Sequence, residues 1–119
     1  MEELFIDPDE VFERVQGGAK LIDLRTAAEF ARLALPGAVH VPFSKLPTEV
    51  FQHVTVADTV ICYCISGARG HEAARWLRQH GVESAFNGGG VYPLLDAFDI
   101  DLEDSADTSA RATACRLNL

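Results

Sequence analysis

The sequence predicts an α/β fold, a mainly parallel central sheet flanked by helices on both faces within one domain. Three observations carry that prediction. Short apolar runs alternate with stretches of helical periodicity, the pattern of strands joined by helical crossovers. The run Thr59-Val60-Ile61-Cys62-Tyr63-Cys64 is β-branched and aromatic without polar alternation, as a central strand covered on both faces requires. The chain has 119 residues, 48% of them hydrophobic and 24% charged, enough for one buried core and too few for two domains.

The elements follow in order. Asp7-Pro8-Asp9-Glu10 reads as a helix start, with Asp7 as cap, Pro8 in the first turn and acids at the positive end of the helix dipole. Val11, Phe12 and Val15 give this helix an apolar face, and Gly17-Gly18 stops it. Lys20 to Leu24 is a short strand. Thr26 is placed to cap a helix from Ala27 to about Leu33, closed off by Pro36-Gly37, and Glu29 is set for an ion pair with Arg25 along its side. Val39-His40-Val41 is a brief strand ended by Pro42, and Leu46 to Val54 is a weaker helix with Pro47 near its beginning. The strand ending at Cys64 takes the middle of the sheet. After a small-residue loop, a helix runs through Arg75 to His80, with Ala73, Ala74 and Leu77 inward and Gly81 as its stop. Ser84-Ala85-Phe86 is the last strand, Asn87-Gly88-Gly89-Gly90 a tight turn, and Val91 to Phe98 the final helix. Residues 1–102 thus form the domain. Beyond Asp99, acids mix with Ser, Thr and Ala without periodicity, so 103–119 is expected to be a flexible acidic and polar tail.

Charge and cysteine usage narrow the function. A formal charge of −8 argues against nucleic acid or an anionic membrane as partner, and any anionic substrate needs a local trap. No apolar run is long enough to span a membrane, and Met1-Glu2-Glu3 does not begin a secretory signal, so a cytoplasmic location is expected. Cys62, Cys64 and Cys115 make an odd count rather than a disulfide framework. There is no Cys-x-x-Cys pair, and His40, His53, His71 and His80 show no metal spacing, so no metal site is expected.

Ligands of open α/β sheets bind beyond the carboxyl ends of the strands, and Cys64 ends the central one. Ile65, Ser66, Gly67, Ala68, Arg69 and Gly70 follow it as a permissive loop running into a helix. Such a loop can aim several backbone N–H groups at one point, a nest for negative charge backed by the helix dipole. Cys64, at its centre, is expected to be a nucleophilic thiolate, and the same donors would hold a persulfide or phosphocysteine in its place. Arg69 adds a positive charge that either steers an oxyanion or pairs with an acid, and Ser66 adds a hydroxyl. Cys62 is read as packing, Cys115 as incidental, Asp23 and Arg25 as fixing strand ends, and His71 as solvated.

Cys64-Ile65-Ser66-Gly67-Ala68-Arg69 resembles the active-site loop of the rhodanese family of sulfurtransferases, a reactive Cys and an Arg with four residues between them. Further resemblances fall in the same order: Leu21-Ile22-Asp23-Leu24-Arg25 with Glu29-Phe30, Leu35-Pro36-Gly37-Ala38-Val39-His40-Val41-Pro42, Ala73-Ala74 with Leu77 and Gly81, and Gly88-Gly89. Together they cover about residues 4 to 98. The resemblance implies a single rhodanese-like domain and a thiosulfate sulfurtransferase without metal or organic cofactor. Cys64 would take sulfane sulfur from a small anionic donor as a persulfide and pass it to cyanide, a thiol or a protein sulfur acceptor. Ile65, Ser66, Gly67, Ala68, Arg69 and Gly70 would bind the substrate. The chain departs from the family in three places: Leu33-Ala34 stand where Gly-His is usual, Gly70 where Ser is common, and Tyr92, Pro93 and Leu94 where a Trp is common. Two alternatives stand beside this reading. One is a dedicated persulfide carrier for a partner protein. The other is a rhodanese-like phosphatase or arsenate reductase, whose similar loop has one more residue between Cys and Arg and so a wider cradle.

Overall fold

The computed structural model describes residues 3–100, so the expected tail 103–119, with Cys115, lies outside the described residues. Strands β1 (Lys20–Asp23), β2 (Val39–His40), β3 (Val60–Cys64) and β4 (Ala85–Gly90) form one sheet in the order β2-β1-β3-β4, and every pairing is parallel. All of β3 is buried, as its composition anticipated. Its side chains divide the core in two. Val60, Cys62 and Cys64 pack with α3 (Leu46–Glu49) and α4 (Ala68–Gln79), whereas Ile61 and Tyr63 pack with α1 (Pro8–Gln16) and α5 (Val91–Ala97). Parallel strands covered by helices on both sides are therefore observed. Among the described residues, no helix is long and apolar enough to cross a membrane.

Local chemistry explains most helix boundaries. Asp7 accepts a hydrogen bond from the Glu10 amide at 2.9 Å and Pro8 opens α1. Helix α2 (Ala27–Arg32) begins with a capping box, in which the Glu29 amide donates to Thr26 Oγ1 and the Thr26 amide to Glu29 Oε1. Glu29 is thus engaged by Thr26, and the expected ion pair with Arg25 does not form, because Arg25 turns inward to Asp23. The expected helix over 46–54 is divided among α3 and two flanking 3-10 turns, Phe43–Lys45 and Val50–Gln52. No side-chain cap supports α3, and Thr48 and Gln52 bond back to the Lys45 and Thr48 carbonyls, competing with a regular helix. Leu46, Val50 and Val54 still reach the core.

Two boundaries near the carboxyl end of the sheet differ from expectation. Helix α4 starts at Ala68, so the loop after β3 is only Ile65 to Gly67, and Ala68, Arg69 and Gly70 form the first helical turn. The glycine triplet is not a tight turn but the end of β4, with a register shift opposite Cys62 and Tyr63. The small residues there are imposed by packing: a Cβ on Gly88 would stand 3.0 Å from Ile61 Cγ2, and one on Gly90 would overlap the Ile65 carbonyl oxygen. Residues 4–6 lie along the outer edge of β4, where Asn87 exchanges backbone hydrogen bonds with Leu4 and Ile6.

A buried polar cluster ties β1 to β3. Arg25 Nε donates to Asp23 Oδ1 at 3.0 Å and Nη2 to Oδ2 at 2.7 Å, while the Tyr63 hydroxyl donates to Oδ2 at 2.6 Å. A second bond from Arg25 Nη2 reaches the Leu33 carbonyl, and His40 Nε2 donates to the Arg25 carbonyl at 2.8 Å. Burial works against the Arg25 charge, but the Asp23 carboxylate outweighs it and holds the guanidinium's pKa above its ordinary value. Burial and then Asp23 push the Tyr63 hydroxyl upward, so it stays a donor. Strand-end fixing by Asp23 and Arg25 is what the geometry shows. Replacing Asp23 by Ala strands a buried guanidinium and should cost about 3–5 kcal/mol in urea unfolding. Tyr63→Phe leaves the ion pair intact and should cost about 1–3 kcal/mol.

Candidate active site

Strand β3 delivers Cys64 to the carboxyl edge of the sheet, and the chain leaves it through Ile65, Ser66 and Gly67. Gly67 has φ +99°, a left-handed conformation that a residue with a Cβ adopts only under strain, and it is the N-cap of α4. That turn points its amide back at the cysteine: Gly67 N–H donates to Cys64 Sγ at 3.0 Å. The Ala68 amide donates to Ser66 Oγ at 3.4 Å.

Cys64 is 4% exposed, yet it lines a cavity of about 330 Å³ together with Ile65, Ser66, Ala68 and Arg69. The facing wall comes from Leu24 through Thr26 and from Glu29. Of the residues expected to bind substrate, Gly67 touches the sulfur itself. Gly70 lies behind the loop, buried beside Asn87 and the Cys62 carbonyl. Arg69 is exposed, with its guanidinium 5.4 Å from the Phe43 ring centroid. Among the described residues, no acid lies within ion-pair distance of it. The wall acid Glu29 is turned to Thr26, and Arg25 is neutralised by Asp23. Arg69 is therefore a cation of the cavity lining that no carboxylate pairs among the described residues.

Other sulfur and imidazole groups sort themselves by position. Cys62 is fully buried, and burial, then the neighbouring Cys64, push its thiol up to about 12. It packs. His71 is exposed and lines a separate groove with Leu4, Phe5 and Arg75, away from the sulfur.

Two contributions escaped the sequence. The wall formed by Arg25, Thr26 and Glu29 was legible only as strand-end and capping chemistry. Asn87, placed in a turn by its three following glycines, is in β4, where its Nδ2 donates to the Gly67 carbonyl at 3.1 Å and its Oδ1 accepts from the Gly89 amide at 2.8 Å. The available signal was its polarity at a strand position covered on both sides. Iodoacetamide applied to the folded protein near neutral pH should label Cys64 while Cys62 stays unlabelled until denaturant is added. Peptide mass mapping reads this directly, and comparable native labelling of Cys62 would contradict the assignment.

Comparison with known proteins agrees with this architecture. The model of the rhodanese-like domain family matches residues 7–92. The chain is 38% identical over 67 residues to a sulfurtransferase of Allochromatium vinosum, an alignment covering 56% of this chain and 62% of that one, so it spans less than two thirds of that relative's length. It is 30% identical over 89 residues to human thiosulfate:glutathione sulfurtransferase, covering 64% of this chain and 77% of the relative. The structure of a human single-domain sulfurtransferase superposes with a TM-score of 0.65 at 25% identity, over 78% of this chain and 95% of that one. With a parallel sheet, a cysteine at its carboxyl edge and a family match over most of the described residues, the chain belongs to the rhodanese-like domain family.

Proposed function

We propose that this protein is a sulfurtransferase that carries sulfane sulfur on Cys64 from a thiosulfate-like donor to cyanide or a thiol. One observation supports the reading above the rest: Cys64 Sγ accepts the Gly67 amide hydrogen in a cavity also lined by Arg69, a cation with no ion-pair partner among the described residues. An amide N–H aimed at Sγ supports placing the reacting sulfur there. Arg69 draws an anionic donor into a chain whose net charge of −8 would otherwise repel it.

The reaction divides into two displacements. The Cys64 thiolate attacks the outer sulfur of thiosulfate; the Sγ–S bond forms, the S–S bond to the sulfite sulfur breaks, and sulfite leaves with the electron pair. Cyanide then attacks the terminal sulfur of the persulfide, forming thiocyanate and returning the electron pair to Sγ. A thiolate acceptor leaves instead as a persulfide. No proton carrier is needed when both attacking groups are anions. The human relative's name makes glutathione an acceptor to test beside cyanide.

Thiosulfate treatment followed by intact-protein mass spectrometry should show one added sulfur atom, absent in Cys64→Ser. A wild-type protein that gains none would end this reading. Arg69→Ala should keep the persulfide chemistry but raise the KM for thiosulfate about tenfold, the equivalent of one charge-assisted contact. Initial rates with thiosulfate and cyanide measure it.

A further inference from the structure

We propose that Asn87 is the positioning residue that holds the sulfur-binding loop in register with Cys64, and that Gly70 is the small residue its carboxamide requires. The inference deepens, and rests on, the reading of Cys64 as the sulfur carrier. Gly67 is the only loop residue whose amide is bonded to Sγ, and nothing of its own restrains it: it has no side chain, and α4 begins without a side-chain cap. Restraint arrives from β4. Asn87 Nδ2 donates to the Gly67 carbonyl at 3.1 Å, and that oxygen also accepts the first α4 hydrogen bond, from the His71 amide at 3.0 Å. The two peptide groups flanking the Gly67 Cα are thus fixed from opposite sides, one by Sγ and one by Asn87.

Asn87 can serve as an anchor because it is itself immobilised. It is 6% exposed, its Oδ1 accepts from the Gly89 amide, and its backbone bonds Leu4 and Ile6 at 2.7 and 3.0 Å. The carboxamide occupies the volume beside Gly70. A Cβ there would overlap Asn87 Oδ1 and stand 3.1 Å from the Cys62 carbonyl. The glycine after Arg69, one of the chain's departures from the family, is therefore explained by the amide that fills its place. An oriented amide lowers a barrier only if it is already oriented when charge develops, and that is the service Asn87 performs through Gly67.

Two isosteric or smaller variants, Asn87→Asp and Asn87→Ala, test the proposal with two readouts, after circular dichroism and thermal melting establish which of them are folded. Amide hydrogen exchange at Gly67, followed by NMR, should accelerate about tenfold, the equivalent of one lost hydrogen bond. The limiting rate of persulfide formation should fall about tenfold while the KM for thiosulfate, set by Arg69, changes less than about twofold. Gly70→Ala should act in the same direction by displacing the carboxamide, and its effect should shrink in the Asn87→Ala background, since the two sites are in contact. Unchanged exchange at Gly67 in folded variants overturns the proposal whatever the activity, as does accelerated exchange with an unaltered rate of sulfur uptake. Accelerated exchange in a protein whose wild type takes up no sulfur leaves Asn87 as the anchor of the loop and defeats only the functional reading.

Discussion

The chain has three residues, Ile65 to Gly67, in which to leave β3 and begin α4, and a left-handed Gly67 makes so short a reversal possible. Much of the surrounding structure is a consequence. The reversal brings an amide to the cysteine that ends the strand. It also brings the Ile65 carbonyl against β4, which leaves no room for a side chain at Gly90, and it seats the first turn of α4 so deeply that Gly70 must be bare as well. Three glycines spread over residues 67–90 are thereby tied to one turn, and the glycine triplet belongs to the sheet, not to a loop.

Electrostatics around the sulfur follow from which charges are already committed. The protein as a whole is strongly acidic, yet the acids near the cavity are occupied: Asp23 by Arg25 and Tyr63, Glu29 by the Thr26 cap. Arg69 lies against an aromatic ring, which leaves its positive charge available to solvent and ligand. The cavity lining thus holds both signs, Glu29 on the wall and Arg69 in the first turn of α4, and Arg69 is a cation without an ion-pair partner among the described residues.

Local signals were strong wherever a residue acts on its chain neighbours. Asp7, Pro8 and Thr26 marked helix starts because capping is a matter of a few adjacent atoms, and β3 announced its burial because both of its faces had to be apolar. Signals failed where the deciding contact was distant. Glu29 looked suited to Arg25 by helical spacing, but Asp23 offers that guanidinium two oxygens in a buried setting, a better partner than an exposed carboxylate. The segment over 46–54 kept its apolar spacing and lost its helical regularity to side chains bonding its own backbone. The wall opposite Cys64 was invisible as a wall, since it is made from the end of a neighbouring strand.

Sequence alone determined the α/β class and the place of Cys64 at the end of the central strand, with small residues and Arg69 after it, because the alternation of elements and a buried strand's composition are read within a few positions. Only the tertiary structure decided which amide meets the sulfur, that Gly70 turns inward, and that Asn87 reaches across from β4 to hold Gly67. Those outcomes depend on how closely two parallel strands and a helix approach one another, and such distances are set by packing of the whole sheet, not by any stretch of neighbouring residues.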